Sequence, residues 1–436
     1  MSDWDEVTIG DILERSGGSI KTGPFGTTLK ASEYASAGVP LISVGEVGYG
    51  RFSIHSKTPR IGKETIARLP EYVLQEGDIV FGRKGAVDRS AVVGPNETGW
   101  FLGSDGIRLR LPTSCDARFI GHWLRSQAIR DWLLQHAGGT TMASLNQGTI
   151  SRIPVRLPKS LAEQKAIASV LNTLDEKMEL NRRMNETLEA AARAIFKDWF
   201  VDFGPTRAKS EGRASYLAAS IWLLFPDRFD DEGRPNGWTT STIGQEVEVL
   251  GGSTPSTKEP AFWGGDLSWA TPKDLSSLST PVLLSTERQI TQAGLLQISS
   301  GLLPVGTVLL SSRAPIGYMA IAQTPVAVNQ GFIAMVCKAR LSNLFVWLWT
   351  QANMEIVHQN ANGSTFQEIS KANFRPIKVT IATADLLRLF DDTARPLFDR
   401  IVSNEKENRV LAATRDFLLP KLMSGEVRVG DAKQFV

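Results

Sequence analysis

The feature of this chain that most constrains its fold is an internal duplication with a period of about 225 residues. Trp4 and Thr8-Ile9-Gly10 return as Trp238 and Thr242-Ile243-Gly244. Further matches follow in the same order: Trp123-Leu124 with Trp347-Leu348, Gly139-Thr140-Thr141 with Gly363-Ser364-Thr365, and Asn181 and Asn185 with Asn404 and Asn408. A repeat of this length is domain-sized, so the pattern predicts two copies of one module pair rather than a solenoid.

Each copy divides into a globular part and a helical part. The globular parts, 1–158 and 237–380, are rich in Gly, Pro, Ser and Thr, with short apolar runs bounded by turn residues. This composition predicts two similar loop-rich α/β domains, an α+β arrangement overall, each with a helix near its end at roughly 117–137 and 343–360. The remaining predicted segments are helical spacers at 159–203 and 381–423, a linker at 204–236 and a C-terminal tail at 424–436.

The two helical segments each carry one apolar seam. From Leu161 to Phe200 the chain contains no Pro or Gly, and Ser160 with Glu163 matches the signature of a helix start. Apolar residues recur in steps of three and four, which predicts that the two helices pair as an antiparallel coiled coil with pseudo-two-fold symmetry. The predicted pairing residues are Leu174, Met178, Asn181, Asn185, Leu188, Leu397, Ile401, Asn404, Asn408 and Leu411.

Asparagines fill the central seam positions of both helices. Polar residues at such positions commonly fix the register of a helix pair at some cost in stability. The alternative is that each helix lies alone on its own globular domain, with its asparagines facing water. Pro396 lies inside the second helical pattern and should either bend that helix or mark its true start.

The charge balance leaves the partner open, so the position of the basic residues matters. Lys and Arg total 48 against 46 Asp and Glu, a formal net charge of +2. Basic residues cluster in the segment from Arg83 to Arg89, which follows a predicted strand, and Arg313 lies in the corresponding segment of the second copy. Small residues there allow close approach to a duplex, and Arg can bridge phosphates or pair with guanine. The alternative is an ordinary solvated turn.

The sequence offers no constellation of catalytic residues. The segment Gly18–Gly26 lacks the spacing of a phosphate-binding loop, the four histidines lack metal-ligand spacing, and no Asp/Asn-Pro-Pro-Tyr/Phe motif is present. Two cysteines, Cys115 and Cys337, cannot form a disulfide framework. With no run of about 20 apolar residues and no secretory signal, we expect a cytoplasmic, non-catalytic binder or scaffold without a metal.

In their order, several motifs resemble the DNA specificity subunit of type I restriction–modification systems, over essentially the whole chain. The residues that carry the resemblance are Lys21-Thr22-Gly23-Pro24-Phe25-Gly26, Gly251-Gly252-Ser253-Thr254-Pro255, Trp269-Ala270-Thr271-Pro272-Lys273-Asp274-Leu275, Asn329-Gln330-Gly331-Phe332, Ile153-Pro154 leading into Glu163-Gln164-Lys165-Ala166, and Trp199-Phe200-Val201-Asp202-Phe203. The second spacer departs from the pattern, with Ala384-Asp385-Leu386-Leu387 where Glu163-Gln164-Lys165-Ala166 would be expected.

The resemblance implies a non-catalytic subunit with two target-recognition domains, each binding one half of a split, asymmetric site in double-stranded DNA. The helical spacers would set the gap and dock two methyltransferase subunits, which bind S-adenosylmethionine. Restriction/translocase subunits using ATP and Mg would complete the complex, and no cofactor would reside in this chain. Two other classes stay open: a stand-alone DNA-modifying enzyme with fused recognition domains, and a protein-interaction scaffold.

The predicted DNA-contacting residues are chosen on physical grounds, because base-contacting residues vary among members of such a family. Lys21, Arg83, Lys84 and Arg89 are assigned to the first half-site, and Lys258, Lys273 and Arg313 to the second. Thr140, Thr141, Ser364 and Thr365 are hydroxyl groups on matching glycine loops that could contact the DNA backbone. Lys should mainly hold phosphate, whereas Arg can also read guanine.

Overall fold

The computed structural model describes residues 4–139, 141–338, 340–363 and 367–432. In the first copy the elements are β1 (Trp4–Thr8), α1 (Ile9–Ser16), β2 (Ser19–Thr22), β3 (Tyr34–Ala35), β4 (Val39–Ile42), β5 (Arg60–Ile61), α2 (Lys63–Arg68), β6 (Ile79–Gly82), β7 (Ser90–Val92), β8 (Phe101–Leu102), β9 (Gly106–Arg110), α3 (Ala117–Arg125), α4 (Gln127–His136), α5 (Gln147–Ser151), β10 (Pro154–Pro158) and α6 (Leu161–Phe200). The rest are α7 (Gly204–Ser210), α8 (Ala219–Trp222), β11 (Thr239–Thr242), α9 (Ile243–Glu246), β12 (Val247–Leu250), β13 (Trp263–Ala270), α10 (Pro272–Ser276), β14 (Val282–Leu283), β15 (Arg288–Ile290), α11 (Gln292–Leu295), β16 (Val308–Ser311), β17 (Met319–Ala322), β18 (Val326–Val328), β19 (Phe332–Cys337), α12 (Asn343–Ala352), α13 (Met354–Gln359), α14 (Lys371–Phe374), β20 (Lys378–Ile381), α15 (Ala384–Ser424) and α16 (Val429–Ala432).

The chain forms two compact units, and each draws on both long helices. The first unit contains the described residues up to Met178 together with those from Val410 onward, and the second runs from Glu179 to Arg409. Each unit therefore combines one globular domain, the first part of the helix that follows it, and the last part of the other long helix. This repeated composition, with its mixture of helices and sheets, confirms the α+β class with two similar domains.

The first domain is built on two four-stranded sheets. One has the order β2-β9-β6-β7 and the other β3-β5-β4-β8. The strand β6 is buried throughout because its residues Ile-Val-Phe-Gly present apolar or no side chains on both faces. β1 pairs antiparallel with β10, from Trp4 opposite Pro158 to Thr8 opposite Pro154, so the beginning and the end of the domain lie side by side.

The second domain also has two main sheets, one of five strands and one of three. Its central sheet has the order β12-β19-β16-β17-β14, a second sheet has the order β15-β13-β18, and β11 pairs antiparallel with β20. The strand β16, which corresponds to β6, is buried along its whole length.

The sequence predicts one helix near the end of each domain, and this is wrong. Each is broken into two, at Ser126 and at Asn353, where the backbone leaves helical geometry.

The two long helices pack against each other in antiparallel orientation, as the seams predict. In the second unit Asn181 bonds with Asn408 and Asn185 with Asn404, and in the first unit Asp175 bonds with Arg415. As the residue number increases along α6, the number of the residue that it contacts on α15 decreases. Pro396 lies inside α15, so that helix begins at Ala384 and not at the proline. At the start of α6, the Ser160 hydroxyl accepts a hydrogen bond from the Glu163 N–H at 3.4 Å.

The segment 204–236, predicted as a linker, folds onto the second unit. It contains α7 and α8, and Phe225 is buried between Trp199 and the surrounding apolar core. The Lys209 ammonium group donates a hydrogen bond to the Phe225 carbonyl at 2.6 Å. In the first unit the described part of the C-terminal tail is anchored similarly, because Ala432 is fully buried in the core of that unit.

Where its domain meets the helix pair, the first unit contains a network of polar groups. Asp175 on α6 bonds to Arg125 of α3 at 2.5 Å and to Arg415 of α15 at 2.9 Å. Burial alone would raise the pKa of Asp175, but the hydrogen bonds and charges of these arginines outweigh it and lower the pKa. His122 is 3% exposed, and its Nε2 lies 2.8 Å from the Asn172 Oδ1. Burial, reinforced by the charge of Arg125, lowers the pKa of His122 to about 4.

Where its own domain meets the helix pair, the second unit contains an aromatic cluster. Phe390 of α15 is fully buried, with its ring 5.1 Å from that of Phe200 and 5.8 Å from that of Phe196. Phe345 of α12 packs edge-on against both Phe196 and Phe200 at 5.1 Å. These edge-to-face contacts bury large apolar surfaces, so the domain and the helix segments of this unit share one hydrophobic core.

Candidate nucleic-acid interface

In both domains a turn follows the central buried strand, and we call it the cation turn (83–89 and 312–318). The Arg83 N–H donates to the Asp105 carbonyl at 2.8 Å, and the Arg83 carbonyl accepts from the Leu145 N–H at 2.8 Å. In the second domain the Ser312 N–H donates to the Gly331 carbonyl at 2.8 Å, and its carbonyl accepts from the Ile369 N–H at 3.0 Å. The two cation turns are therefore held by the same backbone pattern.

Two other segments hold each cation turn. The flanking turn (103–105 and 329–331) precedes β9 or β19 and accepts from the N–H of the first residue of the cation turn. The closing loop (138–145 and 362–369, apart from residues 140 and 364–366) donates to the carbonyl of that residue. Gly139 and Gly363 have φ values of 101° and 102°, a conformation that L-residues with side chains rarely adopt. Lys84 forms a backbone β-bridge with Ser144 in one closing loop, and Arg313 forms one with Glu368 in the other. The loops around Gly139 and Gly363, which the sequence predicts to contact DNA, therefore lie directly beside the cation turns.

A fourth segment, the glycine loop (23–29 and 251–258), follows the first strand of each central sheet. A Cβ atom on Gly23 would lie 1.8 Å from the Gly103 carbonyl oxygen, and one on Gly252 would lie 1.6 Å from the Val328 carbonyl oxygen. Only glycine allows such an approach between backbones. Four segments of matching position therefore converge in each domain, although their other side chains differ.

In the first domain the glycine loop, the cation turn and the flanking turn, together with Tyr34, line an open cleft of about 220 Å³. Its walls include Phe25, which is 66% exposed, and Tyr34, which is 42% exposed. The complete lining is Pro24, Phe25, Gly26, Leu29, Tyr34, Arg83, Lys84, Ser104 and Asp105. Exposed aromatic rings beside cations suit a DNA-binding surface, because the cations neutralise phosphates and an apolar ring can contact the thymine methyl group.

The structure brings some of the predicted first-domain residues together and separates others. Arg83 and Lys84 both line the cleft, where the Arg83 guanidinium donates to the Ser104 carbonyl at 3.3 Å. Arg89 lies at the far end of the cation turn, 5.4 Å from the Tyr49 ring. Thr141 is exposed in the closing loop, and Thr140 lies outside the described residues. Lys21 points elsewhere: it lies 4.7 Å from the Tyr72 ring and 3.8 Å from the Glu71 carboxylate.

The predicted residues of the second domain are more scattered. Arg313 lies in the cation turn, 3.6 Å from the Glu368 carboxylate. Lys258 is exposed at the end of the glycine loop. Lys273 of α10 instead pairs with Glu287 at 2.8 Å, and this ion pair raises the pKa of Lys273. Ser364 and Thr365 lie outside the described residues.

Two aromatic–guanidinium stacks were not predicted from the sequence. In the first domain Arg130 lies 4.3 Å from the Tyr49 ring and bonds to Asp88 at 2.9 Å. Burial would raise the pKa of Asp88, but hydrogen bonds from Arg130 and Tyr49 lower it. In the second domain Arg288 lies 3.5 Å from the Trp263 ring. For the stack on Tyr49 the sequence offers one signal, the glycines on either side of that tyrosine. Arg130 and Asp88 give none, because they are remote from Tyr49 along the chain.

The predicted helix-pairing residues lie along the contact between α6 and α15 within each unit. The Asn181 amide donates to the Glu407 carboxylate at 2.8 Å and to the Asn408 carbonyl oxygen at 3.0 Å. The Asn185 amide donates to Glu405 at 2.7 Å, and the Asn404 amide donates to the Asn185 oxygen at 2.8 Å. Leu188, Leu397 and Ile401 join the core of the second unit, Leu174 and Leu411 join that of the first, and Met178 is half-buried.

Among the described residues, no helix combines the length and the apolar character that crossing a membrane requires.

Known proteins with a similar sequence or fold were found. A family model described as "Type I restriction modification DNA specificity domain" matches residues 1–190 and 235–384. The type I restriction enzyme HindI specificity subunit of Haemophilus influenzae is 22% identical over 481 residues, which covers 98% of this chain and 100% of that protein. The MjaIX specificity subunit of Methanocaldococcus jannaschii is 36% identical over 180 residues, 41% of each chain. A crystal structure of an S subunit from M. genitalium shares the fold, with a TM-score of 0.58 at 16% identity over 96% of both chains.

Proposed function

Because the chain belongs to the DNA specificity family of type I restriction–modification systems, we propose that it is the non-catalytic subunit that selects the DNA sequence for its complex. Each globular domain binds one half of a split, asymmetric site. The observation that carries this proposal is the pair of four-segment surfaces, which have one backbone pattern and different side chains. A common backbone frame with different side chains suits two domains that recognise different half-sites, because side chains make the contacts to base edges.

The proposed role of the long helices is to set the gap between the half-sites and to dock two methyltransferase subunits. S-adenosylmethionine would bind to those subunits, and ATP with Mg would serve restriction/translocase subunits. The antiparallel pairing and its asparagine contacts support this role, because they fix the register of one helix against the other. Methylation chemistry is assigned to the partner, and sequence choice to this chain.

The experiment that tests this proposal is methylation sequencing at single-molecule resolution. DNA is taken from cells that carry the chain with its methyltransferase and from cells that lack only the chain. We expect a split motif with a fixed gap that appears only with the chain. If the methyltransferase marks the same sequence without it, the proposal is wrong and a scaffold role is favoured instead.

A single substitution tests the location of the DNA surface. Arg83→Ala should weaken binding of the complex to its cognate site by about 1–3 kcal/mol and relax one position of the first half-site. The matched control is Arg152→Ala, an exposed arginine of the same domain outside the four segments, which should leave binding unchanged. Fluorescence anisotropy with duplexes containing the methylated motif measures both. Unchanged affinity and an unchanged motif in Arg83→Ala would remove Arg83 from the surface.

A further inference from the structure

In each domain an exposed carboxylate from a neighbouring segment lies beside a lysine or arginine of the cation turn. In the first domain the Lys84 ammonium lies 3.3 Å from the Asp105 carboxylate, with side chains that are 50% and 36% exposed. In the second domain the Arg313 guanidinium lies 3.6 Å from the Glu368 carboxylate, with side chains that are 40% and 47% exposed. Exposed ion pairs contribute little to stability, so we expect substitution of either partner to leave the fold intact.

The two carboxylates come from different segments beside the cation turn. Asp105 belongs to the flanking turn, whereas Glu368 belongs to the closing loop. In the first closing loop the β-bridge partner of Lys84 is Ser144, and in the second the β-bridge partner of Arg313 is Glu368. Glu368 therefore occupies the position that Ser144 has in the first domain. The backbone frame is shared, and the segment that supplies the carboxylate differs between the two domains.

A carboxylate on a DNA-binding surface is repelled by the phosphates, so its presence there needs a compensating contact. The edge of a G·C base pair in the major groove supplies one. Cytosine presents the N4 amino donor, which Asp or Glu accepts, and guanine presents the O6 and N7 acceptors, to which Lys or Arg donates. A neighbouring acceptor and donor on the protein therefore complement the neighbouring donor and acceptor of this one base pair.

We propose that each ion pair, Lys84 with Asp105 and Arg313 with Glu368, reads one G·C base pair of its half-site. The carboxylate accepts from cytosine N4, and the cation donates to guanine. Arg83 positions the first pair, since it holds the flanking turn through the carbonyls of Ser104 and Asp105. This inference rests on the proposed function.

The test measures the methylated motif in cells that carry the complex with Asp105→Ser, Asp105→Asn or Lys84→Met. We expect Asp105→Ser and Lys84→Met to reduce discrimination at the same G·C pair of the first half-site by about tenfold or more, with the second half-site unchanged. Asp105→Asn should admit adenine in place of cytosine, because an amide pairs with the adenine edge. Arg313→Met and Glu368→Gln should act in the same way on the second half-site only.

Matched controls and contrary results are well defined. Glu6→Gln removes an exposed carboxylate that lies 3.9 Å from Arg156 and outside the four segments, and it should leave the motif unchanged. The inference is overturned if Asp105 and Lys84 variants relax different positions, if they weaken methylation uniformly at all sequences, or if the first half-site contains no G·C pair. A chain-dependent split motif that none of the variants alters overturns the inference alone. Methylation that does not require the chain overturns the proposed function as well.

Discussion

In both units the domain and the helix pair share a hydrophobic core. At one set of equivalent positions, however, the first unit has polar and charged groups where the second unit has aliphatic and aromatic groups. In the repeat, His122, Arg125, Asp175 and Arg415 correspond to Val346, Trp349, Phe398 and Ala192. The first set forms the network around Asp175, and Val346, Trp349, Phe398 and Ala192 all lie in the core of the second unit. One backbone arrangement is thus held by two different kinds of side-chain contact.

The difference teaches that the frame of the module depends on which positions are inward-facing more than on their chemistry. A buried ion network loses solvation that it regains only through good geometry, while apolar packing has no such requirement. The two units should therefore have similar folds and different responses to pH and to substitution. The predictions below test this difference, from the largest expected effect to the smallest.

Phe390→Ala should cause the largest loss of stability. The ring is fully buried and contacts four other aromatic rings, so its removal should lower the free energy of unfolding of the second unit by about 4 kcal/mol. Phe417→Ala on the same helix is the control: its ring is 56% exposed, and the loss should be below about 1 kcal/mol. Hydrogen exchange should localise the Phe390 effect to residues 179–409, and equal losses in the two variants would contradict the aromatic-core interpretation.

Acidification should destabilise the first unit selectively. The pKa of His122 is about 4 in the folded state, below that of an unfolded histidine, so the unfolded state binds the proton more readily. The free energy of unfolding should fall as pH decreases from about 6.5 to 4, by about 3 kcal/mol in total. The groups facing His122 are Asn172, Arg125, Asp175 and Arg415, and the lowered pKa of Asp175 places its own contribution at more acidic pH.

The variant His122→Val, which copies Val346 of the second unit, tests the origin of this pH dependence. Urea unfolding of the first unit at several pH values should give a flat profile between pH 6.5 and 4 in the variant. A profile as steep as that of the original chain would assign the pH dependence to other groups.

Asp175→Asn should destabilise the first unit by about 2 kcal/mol, because two partly buried arginines lose their common anionic partner. Asp416→Asn provides a matched control on the same arginine. Asp416 lies 2.7 Å from Arg415 but is 64% exposed, so its loss should cost less than about 0.5 kcal/mol. Thermal unfolding at neutral pH compares the two. Similar effects would mean that the burial of Asp175 is unimportant.

The asparagines offer the finest comparison between the two copies. Asn181 and its repeat equivalent Asn404 are both buried, but Asn181 donates to two acceptors and Asn404 to one. Asn181→Leu should therefore cost about 1–2 kcal/mol, and Asn404→Leu less than about 1 kcal/mol. Unfolding in urea measures both, and the reverse order would show that the hydrogen-bond count does not govern their contributions.

The sequence predicts the helix pair well because its signal is local and periodic. Seam positions repeat in steps of three and four, and the duplicated asparagines mark equivalent places in both helices. The breaks at Ser126 and Asn353 were not predicted, since neither residue prevents a helix from continuing. They follow from the way two short helices pack on each domain, which is a tertiary effect that overrides local preference.

The candidate surface was predictable in part. Arg83, Lys84 and Arg313 were identified because a basic turn after a strand recurs in both copies. Lys21 was assigned to the same surface, but alternation along β2 places it beside Glu71. The carboxylates Asp105 and Glu368 gave no signal, because each meets its cation only through the pairing of segments that are remote in sequence.

The composition of the two units sets the order in which the chain can complete its structure during synthesis. Asp175 and Arg415 meet across 240 residues of sequence, so the first unit cannot close until α15 has been translated. The second unit is complete once residue 409 has been added. The unit that contains the first-made domain is therefore the last to be finished, because Leu171 and Leu174 share a core with Leu418 and Leu422. During that interval the nascent chain carries an exposed apolar stripe, the kind of surface to which chaperones bind.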